Sequence, residues 1–268
     1  MAKRLFQTMA ICAALCVFSS GALAQKDERG LSCENNRWNS DQANHCVMRE
    51  QTVAPGGVIN VDGRANGSVS VRGWDQGNIF VRYQIQTWAR TDQEAKELAD
   101  QVQVEFSGTN IRPTGPQTQG RRGWAVSYEL FVPRRSDLSL RSTNGSLRVD
   151  DVRGRIEFDT TNGSVKLSRL AGSVRGETTN GSLQVELDGQ RWDGEGIDLR
   201  TTNGSVKVFV PANYSAHLET RTTNGGLNFD FPVTVQGKID RELNTTIGSG
   251  GAPIRVQTTN GSVSIRRQ

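Results

Sequence analysis

Histidine is almost absent from this chain, with His45 and His217 the two examples in 268 residues. No Gly-x-Ser-x-Gly elbow, His-x-x-x-His pair or phosphate loop occurs, so nucleophilic, zinc and nucleotide chemistry lack their usual residues. His217 falls opposite Leu218 by strand alternation and is expected on a solvent-facing surface. Cysteine is equally scarce: Cys12 and Cys16 lie in the first 24 residues, which leaves Cys33 and Cys46. Long apolar runs are confined to that same stretch, where Lys3 and Arg4 precede Ala10 to Phe18 and then Ala22-Leu23-Ala24. It reads as a cleaved signal peptide, residues 1–24, since its apolar run is shorter than the roughly 18 residues of a membrane helix. Gln25 stands where a lipoprotein needs cysteine, and no anchor is expected.

The mature protein is therefore expected outside the cytoplasm, periplasmic or secreted. There an isolated cysteine pair is most simply a Cys33–Cys46 disulfide. Closing so short a loop stabilises by about 3 kcal/mol in the chain-entropy model. A metal site using His45 beside Cys46 would lack a second ligand pair, and neither metal nor cofactor is expected. Charge of one sign is lacking too: removing the signal takes the formal balance from +4 to +2. Basic and acidic residues alternate, as in Arg148-Val149-Asp150 and Arg155-Ile156-Glu157, which describes a solvated face rather than a nucleic-acid groove. Arg121-Arg122 beside Trp124, and Arg134-Arg135, are too few to make a patch.

What the sequence has in abundance is Asn-Gly, seven times. Six copies share a Thr-Asn-Gly signature: Asn144-Gly145, Asn162-Gly163, Asn180-Gly181, Asn203-Gly204, Asn224-Gly225 and Asn260-Gly261. The first three signatures are spaced by 18 residues, with Gly154 and Gly172 midway between them. Apolar residues then follow in pairs two apart, such as Leu147 and Val149, Val165 and Leu167, or Val263 and Ile265, so one face is buried and one is wet. Strands this short cannot bury their apolar rows alone and must stack. Two alternating corner types predict an all-β fold, a flattened two-sheet β-solenoid of about 18 residues per coil, rising about 4.8 Å per coil. Hairpins built on Asn-Gly are the antiparallel alternative, but they leave the alternation of corners unexplained. The signature is read as a positive-φ turn, and Asn66 is expected to lie outside the array.

The sequence divides into a signal peptide (1–24), a disulfide-bearing leader or cap (25–52), a β-rich region (53–137) and the repeat solenoid (138–268). Within the third, Thr91 with Glu94 forms a capping box that opens one short α-helix, about 91–105, and Ile111 to Gly123 reads as a loop. Insertions such as Gln190-Arg191-Trp192-Asp193-Gly194 belong at corners, and Thr234 to Ala252 holds a degenerate copy.

Other chemistries fit less well. Asn-Gly-Ser matches the N-glycosylation pattern, but turn formation already accounts for it. Calcium-binding repeats need an in-register carboxylate that these corners lack. Stacked threonines leave one exposed column rather than the paired grid a crystalline surface requires. Carboxylates that could meet across coils, as in polysaccharide-cleaving enzymes, are Asp150, Asp151, Glu157, Asp159, Glu186, Asp188, Asp193 and Glu195. Trp124, Trp192 and the arginine pairs are the candidate exposed contacts.

The order of these parts resembles the bacterial "putative adhesin" family of unknown function. The matching features are a secretion signal, the opening Gly67-Ser68-Val69-Ser70-Val71, a short helix, a strand ending in Val132-Pro133, and the Thr-x-Asn-Gly repeats, together spanning Val53 to Arg266. The resemblance implies an extracytoplasmic β-solenoid with an adhesin-like role and brings no binding residues with it. The expected function is a non-enzymatic binding or structural scaffold at the cell envelope, its partner an envelope protein or polysaccharide. The alternative is a polysaccharide-acting enzyme using surface carboxylates.

Overall fold

The computed structural model describes residues 30–34, 42–230 and 241–268; the expected signal peptide, 1–24, lies outside them. The order of elements begins with β1 (Ala43–Val53), β2 (Ile59–Asp62), β3 (Val69–Trp74) and β4 (Ile79–Ala89), followed by helix α1 (Asp92–Gln101). After it come β5 (Gln103–Ser107), β6 (Asn110–Thr114) and β7 (Gly123–Pro133). The repeat supplies β8 (Leu138–Asn144), β9 (Leu147–Asp150), β10 (Arg153–Asn162), β11 (Val165–Ser168), β12 (Ala171–Asn180), β13 (Leu183–Glu186), β14 (Gly196–Asn203) and β15 (Val206–Val210). The last elements are β16 (Ala216–Asn224), β17 (Leu227–Phe229), β18 (Glu242–Ile247), β19 (Pro253–Asn260) and β20 (Val263–Arg267).

These strands form two ten-stranded sheets, the first ordered β1-β4-β7-β3-β9-β11-β13-β15-β20-β17 and the second β18-β16-β19-β14-β12-β10-β8-β2-β6-β5. From β8 to β15 each strand pairs in parallel with its counterpart one coil on, Ile156 with both Leu138 and Val174, which is the 18-residue period made spatial. The hairpin alternative would pair successive strands antiparallel. One core runs between the sheets from Val53 to Ile265, across the division expected at 137/138. Most strands contribute alternate apolar residues to it, which two facing sheets bury together.

Several expectations are corrected. Asn66 belongs to the array: it bridges Asn144, and the Asn144 side-chain amide donates to Asn66 Oδ1 at 3.1 Å. Coils do not stack in sequence order, because β19 lies between β14 and β16, and β20 between β15 and β17. The final coil is thus slotted inside the stack. The degenerate copy supplies β18, which pairs antiparallel with β16 at the edge of the second sheet. Part of the expected 111–123 loop is strand, since β6 pairs with β5 and β2. The helix ends at Gln101, short of the expected 105, where Val102 turns extended and leads into β5. Its N-cap Thr91 accepts from the Glu94 amide at 3.2 Å, while the Glu94 carboxylate reaches back to the Arg90 amide.

The reason for glycine in the signature also differs from expectation. Gly145, Gly163, Gly181, Gly204 and Gly225 do not have positive φ, and of the six signature glycines Gly261 alone does, at 155°. A Cβ on Gly163 would instead stand 2.0 Å from the Gly145 carbonyl oxygen, so the coils can approach only with a hydrogen there. Left-handed backbone occurs at the opposite corner, at Asp151 (φ 57°), Arg169 (φ 50°) and Gly172 (φ 100°).

Candidate binding trough on the second sheet

The signature corner is a closed hydrogen-bonded edge. All seven Asn side chains form one ladder, in the order 66, 144, 162, 180, 203, 260, 224, with successive amides 2.7–3.1 Å apart. Just inside it, the buried hydroxyls of Thr178, Thr201, Thr222 and Thr258 each donate to the glycine carbonyl of a neighbouring coil at 2.7–3.0 Å. Stacking identical corners pairs each donor with the acceptor below, so these polar groups are satisfied where water is excluded.

The outer face of the second sheet is different. Alternation buries Leu140, Ile156 and Leu199 and turns Arg141, Glu157, Asp159, Arg175, Glu177 and Arg200 to solvent. Parallel register lines Arg141 with Asp159, Glu177 and Arg200 in one column, and Ser139 with Glu157, Arg175 and Asp198 in the next. Between them lies a groove of about 490 Å³. It shares Ser139 and Arg141 with a second groove, reaching Asn60, Glu105 and Arg112, and Glu177 and Arg200 with a third, reaching Thr202, Thr223 and Thr259. The three make a continuous trough that crosses the strands and follows the stack.

Among the described residues, Arg141, Glu157, Asp159, Arg175 and Glu177 have no side-chain hydrogen bond or ion pair. Asp198 accepts from Arg200 at 3.4 Å through one oxygen, while its other oxygen is buried and unpartnered. Beyond the trough the same face closes: Arg255 binds Glu219 at 2.6 and 3.1 Å, and that hydrogen bond holds the Glu219 carboxyl below the usual carboxylate range. His217 sits beside it, its Nε2 3.7 Å from Glu219.

On the first sheet's outer face the acids are held. Arg169 bridges Asp150 and Asp151, Arg134 reaches Asp151 at 3.4 Å, and Lys166 meets Glu186 at 2.9 Å. Burial pushes the Glu186 carboxyl up, but the Lys166 and Gln184 hydrogen bonds outweigh it and leave the group below its ordinary value. At the second corner Asp193 pairs with Arg153 at 3.2 Å, Asp188 accepts from the Gly189 amide, and Glu195 is exposed. Of the eight candidate acids, then, Glu157 and Asp159 line the trough, where they are joined by Glu177, which sequence reasoning did not single out. Their shared register was its available signal.

The aromatic candidates sit elsewhere. Trp192 is buried and donates to the Gly172 carbonyl at 2.9 Å, so the insertion plugs a corner. Trp124 is half-buried and donates to Pro116 at 2.9 Å. Cys33 and Cys46 form a disulfide, Cα–Cα 5.7 Å, that ties residues 30–34 to β1. Among the described residues no three His, Cys, Asp or Glu side chains are grouped to hold a metal, and no helix is long and apolar enough to cross a membrane.

The model of a family described as Toastrack DUF4097 matches residues 66–266. Similar solved structures include a "putative cell adhesion protein" from Clostridium sporogenes, 11% identical, covering 84% of this protein and 100% of that one, TM-score 0.45. A "putative adhesin" from Bacteroides fragilis is 9% identical over 84% of this protein and 97% of that one, TM-score 0.45. A "putative lipid binding protein" from Parabacteroides distasonis is 12% identical over 83% and 96%, TM-score 0.31. No curated protein matches the sequence.

Proposed function

This chain belongs to the Toastrack family, and we propose that it is an extracytoplasmic, non-enzymatic binding scaffold whose trough holds an extended polysaccharide of the cell envelope. The observation that carries this reading is the trough of uncommitted charges on the second sheet. Free carboxylates accept from sugar hydroxyls and free guanidinium groups donate to them, and such bonds to charged groups contribute about 1.5–3 kcal/mol each. A trough that repeats its groups coil by coil suits a repeating polymer, whereas small-molecule sites are enclosed and mostly apolar. The Cys33–Cys46 disulfide supports an oxidising compartment. Glu157, Asp159 and Glu177 share this trough but are exposed, without the apolar surroundings that set one carboxyl apart as an acid.

The test is co-sedimentation of the purified protein with insoluble envelope glycan. Arg175→Ala combined with Glu177→Ala should weaken binding by about tenfold or more. Equal retention of the variant would remove the trough from the reading, and release of new reducing ends from the glycan would replace binding with hydrolysis.

A further inference from the structure

Asn-Gly is the dipeptide most prone to spontaneous deamidation, because glycine has no substituent to block the approach of its own nitrogen. The sequence holds seven copies, and the stack treats six of them alike. The amides of Gly67, Gly145, Gly163, Gly181, Gly204 and Gly261 each donate to the backbone carbonyl of the next Asn in the ladder, at 3.0–3.2 Å. Five of the Asn side chains are held at both ends, as Asn162 is, donating to Asn144 at 2.7 Å and accepting from Asn180 at 2.8 Å. A nucleophile whose proton is engaged, beside an electrophile fixed along the stack, does not react.

Asn224-Gly225 is the exception. It is the last rung of the ladder: Asn224 donates to Asn260 Oδ1 at 2.8 Å, and among the described residues no further Asn donates to Asn224. Among the described residues the Gly225 amide has no acceptor, and both residues are exposed. The opposite end supplies an internal contrast. Asn66 accepts from Asn144 and does not donate along the ladder, yet the Gly67 amide is bonded to Asn144 at 3.2 Å.

We propose that Asn224 is a self-modification site, the one Asn-Gly pair of the folded protein that converts to aspartate and isoaspartate. The Gly225 nitrogen, having given its proton to water or hydroxide, attacks Cγ of Asn224. A bond forms between the Gly225 nitrogen and Cγ, the Cγ–Nδ2 bond breaks, and Nδ2 leaves as ammonia with a proton from water. Water then opens the succinimide at either carbonyl. Opening at Cγ gives aspartate in the normal backbone, and opening at the backbone carbonyl gives isoaspartate. No electrons are gained or lost. At this position the product removes the donor that Asn224 offered to Asn260 and sets oxygen against oxygen, so modification shortens the ladder from its end and loosens the coil made by β16 and β17.

The experiment ages the full mature protein at mildly alkaline pH and 37 °C and quantifies aspartate and isoaspartate at each Asn-Gly peptide by mass spectrometry. Asn224 should react at least about tenfold faster than any other, since freeing an internal rung costs the hydrogen bonds that hold it. In denaturant the seven rates should converge. Comparable rates at all sites in the native protein, Asn66 leading, or an inert Asn224 would each overturn the proposal.

Discussion

The signature corner and the trough are products of one stacking rule with opposite results. At the corner, repetition sets each donor over an acceptor: Asn over Asn, Thr hydroxyl over Gly carbonyl, Gly amide over Asn carbonyl. In the trough, the same register stacks side chains that differ from coil to coil, so Arg175 lies between Glu157 and Asp198 without bonding either. Identical rungs consume their polarity internally; varied rungs leave it unpaired. The first sheet's outer face lies between the two, its charges varied but its acids Asp150, Asp151 and Glu186 paired.

That contrast can be broken at graded cost. Gly163→Val puts carbon 2.0 Å from the Gly145 carbonyl oxygen, which is backbone and cannot swing aside as a side chain would. It should destabilise by about 3 kcal/mol or more, seen as a large drop in thermal midpoint; an unchanged midpoint would mean the coils do not approach as described. Thr178→Val keeps the shape but leaves the Gly163 carbonyl without its 3.0 Å donor, for a loss of about 1–2 kcal/mol in denaturant unfolding. Lys166→Met removes a partly exposed partner of Glu186 on the first sheet, where a surface pair contributes at most about 1 kcal/mol. Arg175→Ala in the trough should change stability by less than about 0.5 kcal/mol while weakening glycan binding. A stability loss equal to that of Thr178→Val would show the trough to be structural.

The smallest effect is a pH dependence at the paired end of the second sheet. The Arg255 hydrogen bond lowers the Glu219 carboxyl, so the folded state prefers its ionised form more than the unfolded state does. The resulting stability is present above the unfolded value of 4.5 and is lost as pH falls through the lower folded value. Arg255→Ala should flatten that acid limb in unfolding measured from neutral to acid pH. The trough variant should leave it unchanged.

Much of this was legible locally. The 18-residue spacing became the strand register, with Asn144, Asn162 and Asn180 in line, and Thr91 capped the helix. The trough was legible in part: Glu157 and Asp159 stood out as acids, but Arg141, Arg175 and Glu177 read as solvated charge until the register placed them together. Sequence reasoning also assigned Gly163 the wrong physical reason, because a short contact between coils leaves no trace in the residue's own neighbourhood. Asn66 was misplaced for a related reason, since its partner Asn144 is 78 residues away in the sequence.

By itself the sequence determined the solenoid, its two kinds of corner and the alternation of buried and wet faces, because period-two patterning and repeat spacing act over a few residues. Tertiary structure alone decided the order of the coils. Corners that are alike offer alike edges, so the coil of β19 and β20 satisfies the same hydrogen bonds wherever it enters the stack. Its place between β14–β15 and β16–β17 follows from how distant segments come together, and that choice left Asn224, rather than Asn260, at the open end of the ladder.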